Sequence, residues 1–296
     1  MRRALLLAGA LLLAPVLRAQ TPDAAPEATP EGVVLGGWSL PAGSVVVQQG
    51  YTGWSHDWAP GGDGRTGAGT QHYTFVESTE FHLDVVGDRG PTRVTEHILR
   101  AGGAHWESSG STRSPDVRYD DDTEGQAVVY TAREEVWDAV LAGQRPGEKR
   151  PTWLVDRLRP IAVDHAEYLW DRPIRVGETW SLGAELIARG YDDLDATRPQ
   201  RLVFRLDSVG TWEGHPVAWL SYDMLLHQRT TDWTSRTEMT GTVTRCLDLF
   251  LDCLQAGTIV EESEGDVYTE SGGTVTRSGP YRGTRRTTFT VRLSVR

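Results

Sequence analysis

Two histidines and two carboxylates in the first third of the chain have the types and spacing that could hold a metal ion. Glu80, His82 and Asp84 alternate along one predicted strand, so their side chains share a face at intervals of about 7 Å. If the turn that follows is centred just after Arg89, His97 lies opposite His82. Histidine nitrogens and carboxylate oxygens are zinc ligands, so this group predicts a divalent-cation site. The competing interpretation is a solvated polar face, because no His-Glu-x-x-His motif is present.

An acidic stretch resembles the first half of a calcium-binding loop. Asp120, Asp122 and Glu124 occupy ligand positions 1, 3 and 5, and Gly125 follows at position 6. Position 12 is Thr131, where such a loop needs a bidentate glutamate. Calcium is therefore a second candidate cation beside zinc, with a solvated acidic turn as the alternative. No other cofactor is predicted.

Tryptophan is abundant, with 11 residues in the chain. Trp54 and Trp58 share one face of a predicted strand, and Trp153 and Trp170 lie in a predicted helical region. Aromatic rings line pockets for lipids and sugars, and they also anchor β-sheet cores without any ligand. These four tryptophans are the candidate ligand-binding residues, for a lipid or another small apolar ligand.

Covalent catalysis finds little support in the chain. The Gly-x-Ser-x-Gly motif of serine hydrolases is absent. His165 and Glu167 are predicted to form a surface pair on a helical segment, and Asp192 and Asp193 to be loop charges. No catalytic residue is therefore predicted.

The two cysteines, Cys246 and Cys253, flank a short segment that is predicted to turn as a hairpin near Leu249. A hairpin of this length places both cysteines at a distance suited to a disulfide. Disulfides persist in exported proteins, so we predict that the two cysteines are bonded. Two reduced core cysteines are the alternative.

Two β-rich halves around a helical middle would position these residues. Period-2 alternation marks strands in both halves, most clearly at 286–295. A capping box at Thr131 and apolar residues at helical spacing predict helices within 131–170, and a further helical turn at 184–189. The predicted fold class is α+β, a curved and mainly antiparallel sheet packed on these central helices.

The N-terminus has the three parts of a secretory signal. Two arginines precede an apolar run over 4–17, and small-residue cleavage chemistry ends at Ala19. We predict a signal peptide at 1–19, a flexible linker at 20–32 and one β-rich domain at 33–296. That domain comprises a β half at 33–130, a helical middle at 131–190 and a β half at 197–296.

Export places the protein in the periplasm or outside the cell. No later segment approaches the roughly 20 apolar residues of a spanning helix. The predicted helical middle and the glycine-rich loops disfavour an outer-membrane protein made of amphipathic strands. The sequence therefore predicts a soluble exported protein with no membrane span.

The charge balance argues against one class of partner. The chain carries 30 basic and 41 acidic residues, a formal net charge of −11. Loss of Arg2, Arg3 and Arg18 with the signal peptide leaves 27 basic residues, a net charge of −14 from the same counts. Nucleic-acid-binding proteins usually show the opposite balance, so nucleic acid is not a predicted partner.

One segment carries a resemblance to a known group of proteins. Val176-Gly-Glu-Thr-Trp180 fits a Val-Gly-Asp/Glu-x-Trp motif, and a Trp-Glu-Gly-His-Pro-Val-Ala turn follows at 212–218. With these features the chain resembles uncharacterised secreted bacterial β-rich proteins. More loosely, it resembles periplasmic lipoprotein carriers of the half-barrel type. The resemblance implies an envelope protein and transfers no catalytic residues.

These observations predict a secreted or periplasmic, non-enzymatic binding or envelope protein. Its ligand would be apolar or amphipathic and would lie between the sheet and the helices. One alternative is a metal-dependent hydrolase that uses His82, His97 and the nearby carboxylates. Another is a structural or partner-binding envelope protein without a small ligand. The sequence leaves the ligand's identity and the oligomeric state open.

Overall fold

A computed structural model describes residues 32–60, 69–87, 90–109, 112–133, 136–145, 148, 151, 154, 172–182, 187, 193–271 and 274–296. The described residues contain 13 strands, which belong to a single antiparallel sheet. The strands of the first half are β1 (Val45–Pro60), β2 (Gly69–Gly87), β3 (Gly90–Ser109), β4 (Thr112–Arg113), β5 (Val117–Asp120), β6 (Ala127–Arg133) and β7 (Val136–Leu141). Those of the second half are β8 (Thr179–Ser181), β9 (Arg201–Trp212), β10 (His215–Arg229), β11 (Trp233–Cys246), β12 (Leu251–Ser271) and β13 (Thr274–Val295).

The order of strands follows the chain except at two places. The order is β7-β6-β3-β2-β1-β13-β12-β11-β10-β9-β8, and the short strands β4 and β5 pair with β3. The pairing of β1 with β13 joins the two halves and runs from Val46 opposite Val295 to Pro60 opposite Tyr281. The other exception is β6, which pairs with residues 93–97 of β3, whereas β5 and β4 pair with later residues of the same strand.

One face of the sheet carries the core, and we call it the core face. On β10, Leu220, Tyr222, Met224 and Leu226 are buried and alternate with less buried residues. Successive side chains of a strand point to opposite faces, so this alternation assigns the apolar set to one side. The opposite face carries a small buried cluster around Val217 and the two cysteines, and many polar residues elsewhere. There, for example, exposed threonines 240, 258 and 288 are aligned across β11, β12 and β13.

Two apolar clusters lie on the core face. The first cluster belongs mainly to β1, β2, β3 and β6 and includes Phe81, Val94 and Tyr130. The second cluster belongs mainly to β9, β10, β11 and β13 and includes Leu220 and Phe289. Two helical residues contribute to them: Leu154 packs in the first cluster and Ile187 in the second.

The predicted α+β fold with central helices is wrong. Residues 131–133 belong to β6 and residues 136–141 are β7, so the segment predicted to open the helical middle is a hairpin. Val128 and Tyr130 of β6, which pairs with β3, and Ala139 of β7, which pairs with β6, are buried at strand periodicity, and these tertiary contacts override the local helical pattern. Apart from Leu154 and Ile187, the rest of the predicted helices at 152–170 and 184–189 lies outside the described residues.

The predicted disulfide is confirmed. Cys246 and Cys253 are bonded, with their Cα atoms 5.9 Å apart. Between them, residues 247–250 form the turn that joins β11 to β12, and Phe250 adopts a left-handed conformation with φ of 50°. Beside the bond, the buried Arg245 donates to Asp252 at 2.9 Å and to the carbonyl oxygen of Leu35 at 3.1 Å. The turn is therefore tied to the segment that precedes β1.

Within the described residues, none of the helical segments has the length and apolar character to cross a membrane.

Candidate functional site

Three aromatic rings stack side by side across β1, β2 and β3. The strand register places Trp54 opposite Tyr73 and Tyr73 opposite His105. The ring centroids of Trp54 and Tyr73 are 4.0 Å apart with planes 14° from parallel, and those of Tyr73 and His105 are 5.0 Å apart at 15°. Residues directly opposite each other in an antiparallel pair have Cβ atoms about 5 Å apart, so the register itself brings these rings into contact. We call Trp54, Tyr73 and His105 the aromatic ladder.

The aromatic ladder lies on the core face but outside both apolar clusters. Trp54 continues the side of β1 on which Val46, Gln48 and Thr52 are buried. All three ladder side chains are only partly buried. The ladder therefore exposes aromatic surface on the face that elsewhere forms the core.

A polar row borders the ladder one pair of positions further along the strands. His56 lies opposite Arg285, and Arg285 lies opposite Glu261. Arg285 and Glu261 form an ion pair, with their side chains 22% and 17% exposed. Burial and the neighbouring charge of Arg285 lower the pKa of His56, while Glu261 and Asp57 oppose the shift. The imidazole of His56 is therefore neutral at neutral pH.

Glu107 borders the ladder on the β3 side. Its Oε1 accepts a hydrogen bond from Nε2 of Gln71 at 2.6 Å, and the two residues lie opposite each other on the core face. Burial and, to a smaller extent, the charge of Glu107 raise the pKa of Tyr73. Glu107 is exposed, and no ion pair involves it among the described residues.

A second aromatic stack occupies the opposite face of the same strands. The rings of His72 and Trp106 are 3.8 Å apart and 19° from parallel, and the guanidinium carbon of Arg113 lies 4.1 Å from the ring centre of Trp106. Because β2 and β4 flank β3, the Trp106 ring is covered from both sides. The guanidinium of Arg113 forms an ion pair with Asp116 at 2.6 Å. Both sides of the Trp106 ring are therefore already occupied by side chains of the protein.

The four predicted ligand-binding tryptophans are only partly accounted for. Trp54 belongs to the aromatic ladder. The backbone of Trp58 pairs with Gly69 and Gly283, and its side chain is not among those described. Trp153 and Trp170 lie outside the described residues. The sequence analysis missed Tyr73 and His105, because only the strand register shows that these residues stand beside Trp54.

The two histidines of the predicted metal site do approach each other. The ring centroids of His82 and His97 are 4.7 Å apart, in an edge-on arrangement. The residue directly opposite His97 is nevertheless Glu80, so the predicted register is wrong. Gly87 pairs with Gly90, which centres the hairpin one residue earlier than predicted.

The carboxylates of this group have other partners. Glu80 accepts a hydrogen bond from Nη1 of Arg296 at 2.8 Å, and its carboxylate lies 3.6 Å from Nε2 of His82. Asp84 accepts a hydrogen bond from the Thr95 hydroxyl at 2.6 Å. Among the described residues, no group of three or more His, Cys, Asp or Glu side chains has the arrangement of a metal site. The zinc site stays a prediction.

In the acidic turn that suggested calcium, one of the predicted ligands, Glu124, is hydrogen-bonded within the protein, and Asp122 is exposed. Glu124 accepts a hydrogen bond from the backbone amide of Ala101 at 3.1 Å, and Asp121 accepts one from the amide of Thr123 at 2.9 Å. The side chain of Asp120 is not among those described. Calcium binding also stays a prediction.

The comparisons with known proteins show no family. No family model matches the chain, and no curated protein matches it. An outer membrane channel from Pseudomonas putida F1 is similar with a TM-score of 0.26 and 9% identity, covering 87% of this chain and 97% of the channel. OccK1 (OpdK) of Pseudomonas aeruginosa is similar with a TM-score of 0.14 and 8% identity, covering 85% and 99% of the two chains. The strand pairing of the described residues defines the class, a protein of one large antiparallel sheet.

The prediction of a soluble exported protein is corrected. Its structural ground was the predicted helical middle, and residues 131–133 and 136–141 of that segment form strands. The solved structures to which the chain is similar are outer membrane channels. With TM-scores below 0.5, the likeness carries no argument about transport, ligand or activity.

Proposed function

We propose that the protein is a non-enzymatic binding protein that holds an apolar or amphipathic ligand against the aromatic ladder. The observation that carries the proposal is the partial exposure of Trp54, Tyr73 and His105 on the core face, outside both apolar clusters. Stacking of aromatic pairs contributes about 0.5–1.5 kcal/mol beyond area burial, yet exposed ring surface forfeits part of the hydrophobic gain. Apolar surface left exposed in this way is characteristic of binding sites.

One position beyond the ladder, the core face carries charged side chains. On three adjacent strands, the next residue on the same face is charged or polar: Trp54 is followed by His56, Thr287 by Arg285, and Ile259 by Glu261. Successive positions on one face of a strand are about 7 Å apart. A ligand with an apolar part at the ladder and a polar part at this row would match both surfaces. This gradient supports an amphipathic ligand.

The proposed site retains one part of the prediction made from the sequence, the position of the ligand. The ligand was predicted to lie between the sheet and the helices, and the ladder is on the sheet face against which Leu154 and Ile187 pack. Residues 131–133 and 136–141 do not contribute a helix to that space, because they extend the sheet.

Titration with the apolar fluorophore N-phenyl-1-naphthylamine tests the proposal. Trp54→Ala should weaken binding by about tenfold, which corresponds to roughly 1.4 kcal/mol. Trp106→Ala is the matched control, because it removes the same side chain from the opposite face of the neighbouring strands. If the two variants bind the fluorophore with equal affinity, the ladder is a structural stack and the proposal fails.

A further inference from the structure

We infer that the ligand of the aromatic ladder carries a positive charge, as an aryl- or alkylammonium amphipath. This inference rests on the proposed function and adds the chemical class of the ligand. It starts from the charges that face the ladder, which are not balanced.

Glu107 supplies the unbalanced charge on the core face. It lies opposite Gln71, whose neutral amide donates to its Oε1 at 2.6 Å. A neutral donor orients a carboxylate without cancelling its charge. On β3, Glu107 is the next residue on the same face after His105, which lies opposite Tyr73, so the carboxylate is about 7 Å from the ladder along the strand.

Among the described residues, the charged pair and the histidine that border the ladder do not offset Glu107. Arg285 forms an ion pair with Glu261, so this pair adds no net charge. Burial beside Arg285 lowers the pKa of His56, which leaves its imidazole neutral at neutral pH. Asp57 lies on the opposite face, where the Thr70 hydroxyl donates to it at 2.7 Å.

Arg113, on β4, also lies on the opposite face. Arg113 stacks on Trp106 and is paired with Asp116 at 2.6 Å. Among the described residues, the charges that face the ladder on the core face therefore sum to a negative value, and the formal net charge of −11 for the whole chain has the same sign. Aromatic rings beside a carboxylate favour organic ammonium ions, through ring quadrupoles and Coulomb attraction together.

Three matched probes test this inference in the full chain: 1-naphthylmethylammonium, 1-naphthylmethanol and 1-naphthoate, measured by equilibrium dialysis at low salt. We expect the ammonium to bind about threefold to tenfold more tightly than the alcohol, and the carboxylate most weakly. Raising the salt concentration should reduce the difference, because the Debye length falls to about 8 Å at physiological ionic strength.

Glu107→Gln should weaken binding of the ammonium by about threefold to fivefold and leave the alcohol unchanged. Glu264→Gln is the matched control, since Glu264 is an exposed carboxylate on the opposite face that pairs with Arg282 at 3.1 Å. Both substitutions are at exposed positions, and thermal melts would verify that both variants fold.

The outcomes separate the two proposals. Equal affinities for the three probes, each weakened by Trp54→Ala, would overturn the inference about charge and leave the binding function standing. Tighter binding of the carboxylate, or an equal effect of Glu107→Gln and Glu264→Gln, would also overturn it. If no probe binds, both the inference and the proposed function fall.

Discussion

Removing the carboxylate of Asp252 should cost the protein a large part of its stability. The side chains of Arg245 and Asp252 are only 2% and 8% exposed, and their ion pair is 2.9 Å long. Arg245 keeps a single further contact of this kind, to the carbonyl oxygen of Leu35. In Asp252→Ala the guanidinium stays buried without its counter-ion. Breaking a buried pair in this way costs about 3–5 kcal/mol.

The exposed pair between Arg282 and Glu264 provides the scale for comparison. Their side chains are 81% and 61% exposed, so Glu264→Ala should change stability by less than about 1 kcal/mol. Typical domains are stable by about 5–15 kcal/mol, so the loss at Asp252 should shift the urea midpoint clearly. The double variant Arg245→Met/Asp252→Leu should recover most of that loss, because no unpaired charge remains.

The assay is equilibrium urea unfolding followed by tryptophan fluorescence at constant pH and salt. If Asp252→Ala lowers the unfolding free energy no more than Glu264→Ala does, the buried pair is not the constraint that the geometry implies. If the double variant is as unstable as Asp252→Ala, the loss comes from packing rather than from the unpaired charge.

Two further expectations concern the site and the disulfide. Burial lowers the pKa of His56 in the folded protein. As the pH drops below about 6.5, the imidazole is therefore protonated in the unfolded chain before it is protonated in the folded protein, and the free energy of unfolding should fall. Melting temperatures of the wild type and His56→Gln between pH 7.5 and 5.5 would show this, and identical pH slopes would contradict it. Replacing both Cys246 and Cys253 by serine should lower the unfolding free energy by about 2 kcal/mol, because the bond closes a short loop. Urea unfolding with and without reductant measures the same quantity, and a wild-type midpoint that does not change on reduction would count against it.

The strands with long alternating patterns were predictable. At 286–295 the predicted alternation agrees with the burial of Phe289 and Leu293 in β13. The disulfide was predictable too, because a short hairpin leaves its two cysteines few other arrangements. Both features depend on residues that are close together in the chain.

The candidate site was predictable only in part. Trp54 stood out by its residue type, but Tyr73 and His105 acquire their role from pairings across β1, β2 and β3. When a hairpin turns one residue earlier or later, every residue of one strand gains a different partner on the other. In the hairpin in which Gly87 pairs with Gly90, Glu80 rather than His82 therefore lies opposite His97.

The sequence by itself determined which faces of the long strands are apolar, where the cysteines bond and that tryptophan is available at position 54. Tertiary structure alone decided that β1 pairs with β13, that β6 pairs with β3 and β7 with β6, and that three rings from three strands form the aromatic ladder. The physical reason is that side-chain alternation is local, whereas a strand gains its partner, its register and much of its stability from hydrogen bonds and side-chain contacts with distant parts of the chain. A short segment such as 136–141 fits both a helical and a strand pattern, and its pairing with β6, which itself pairs with β3, makes it a strand.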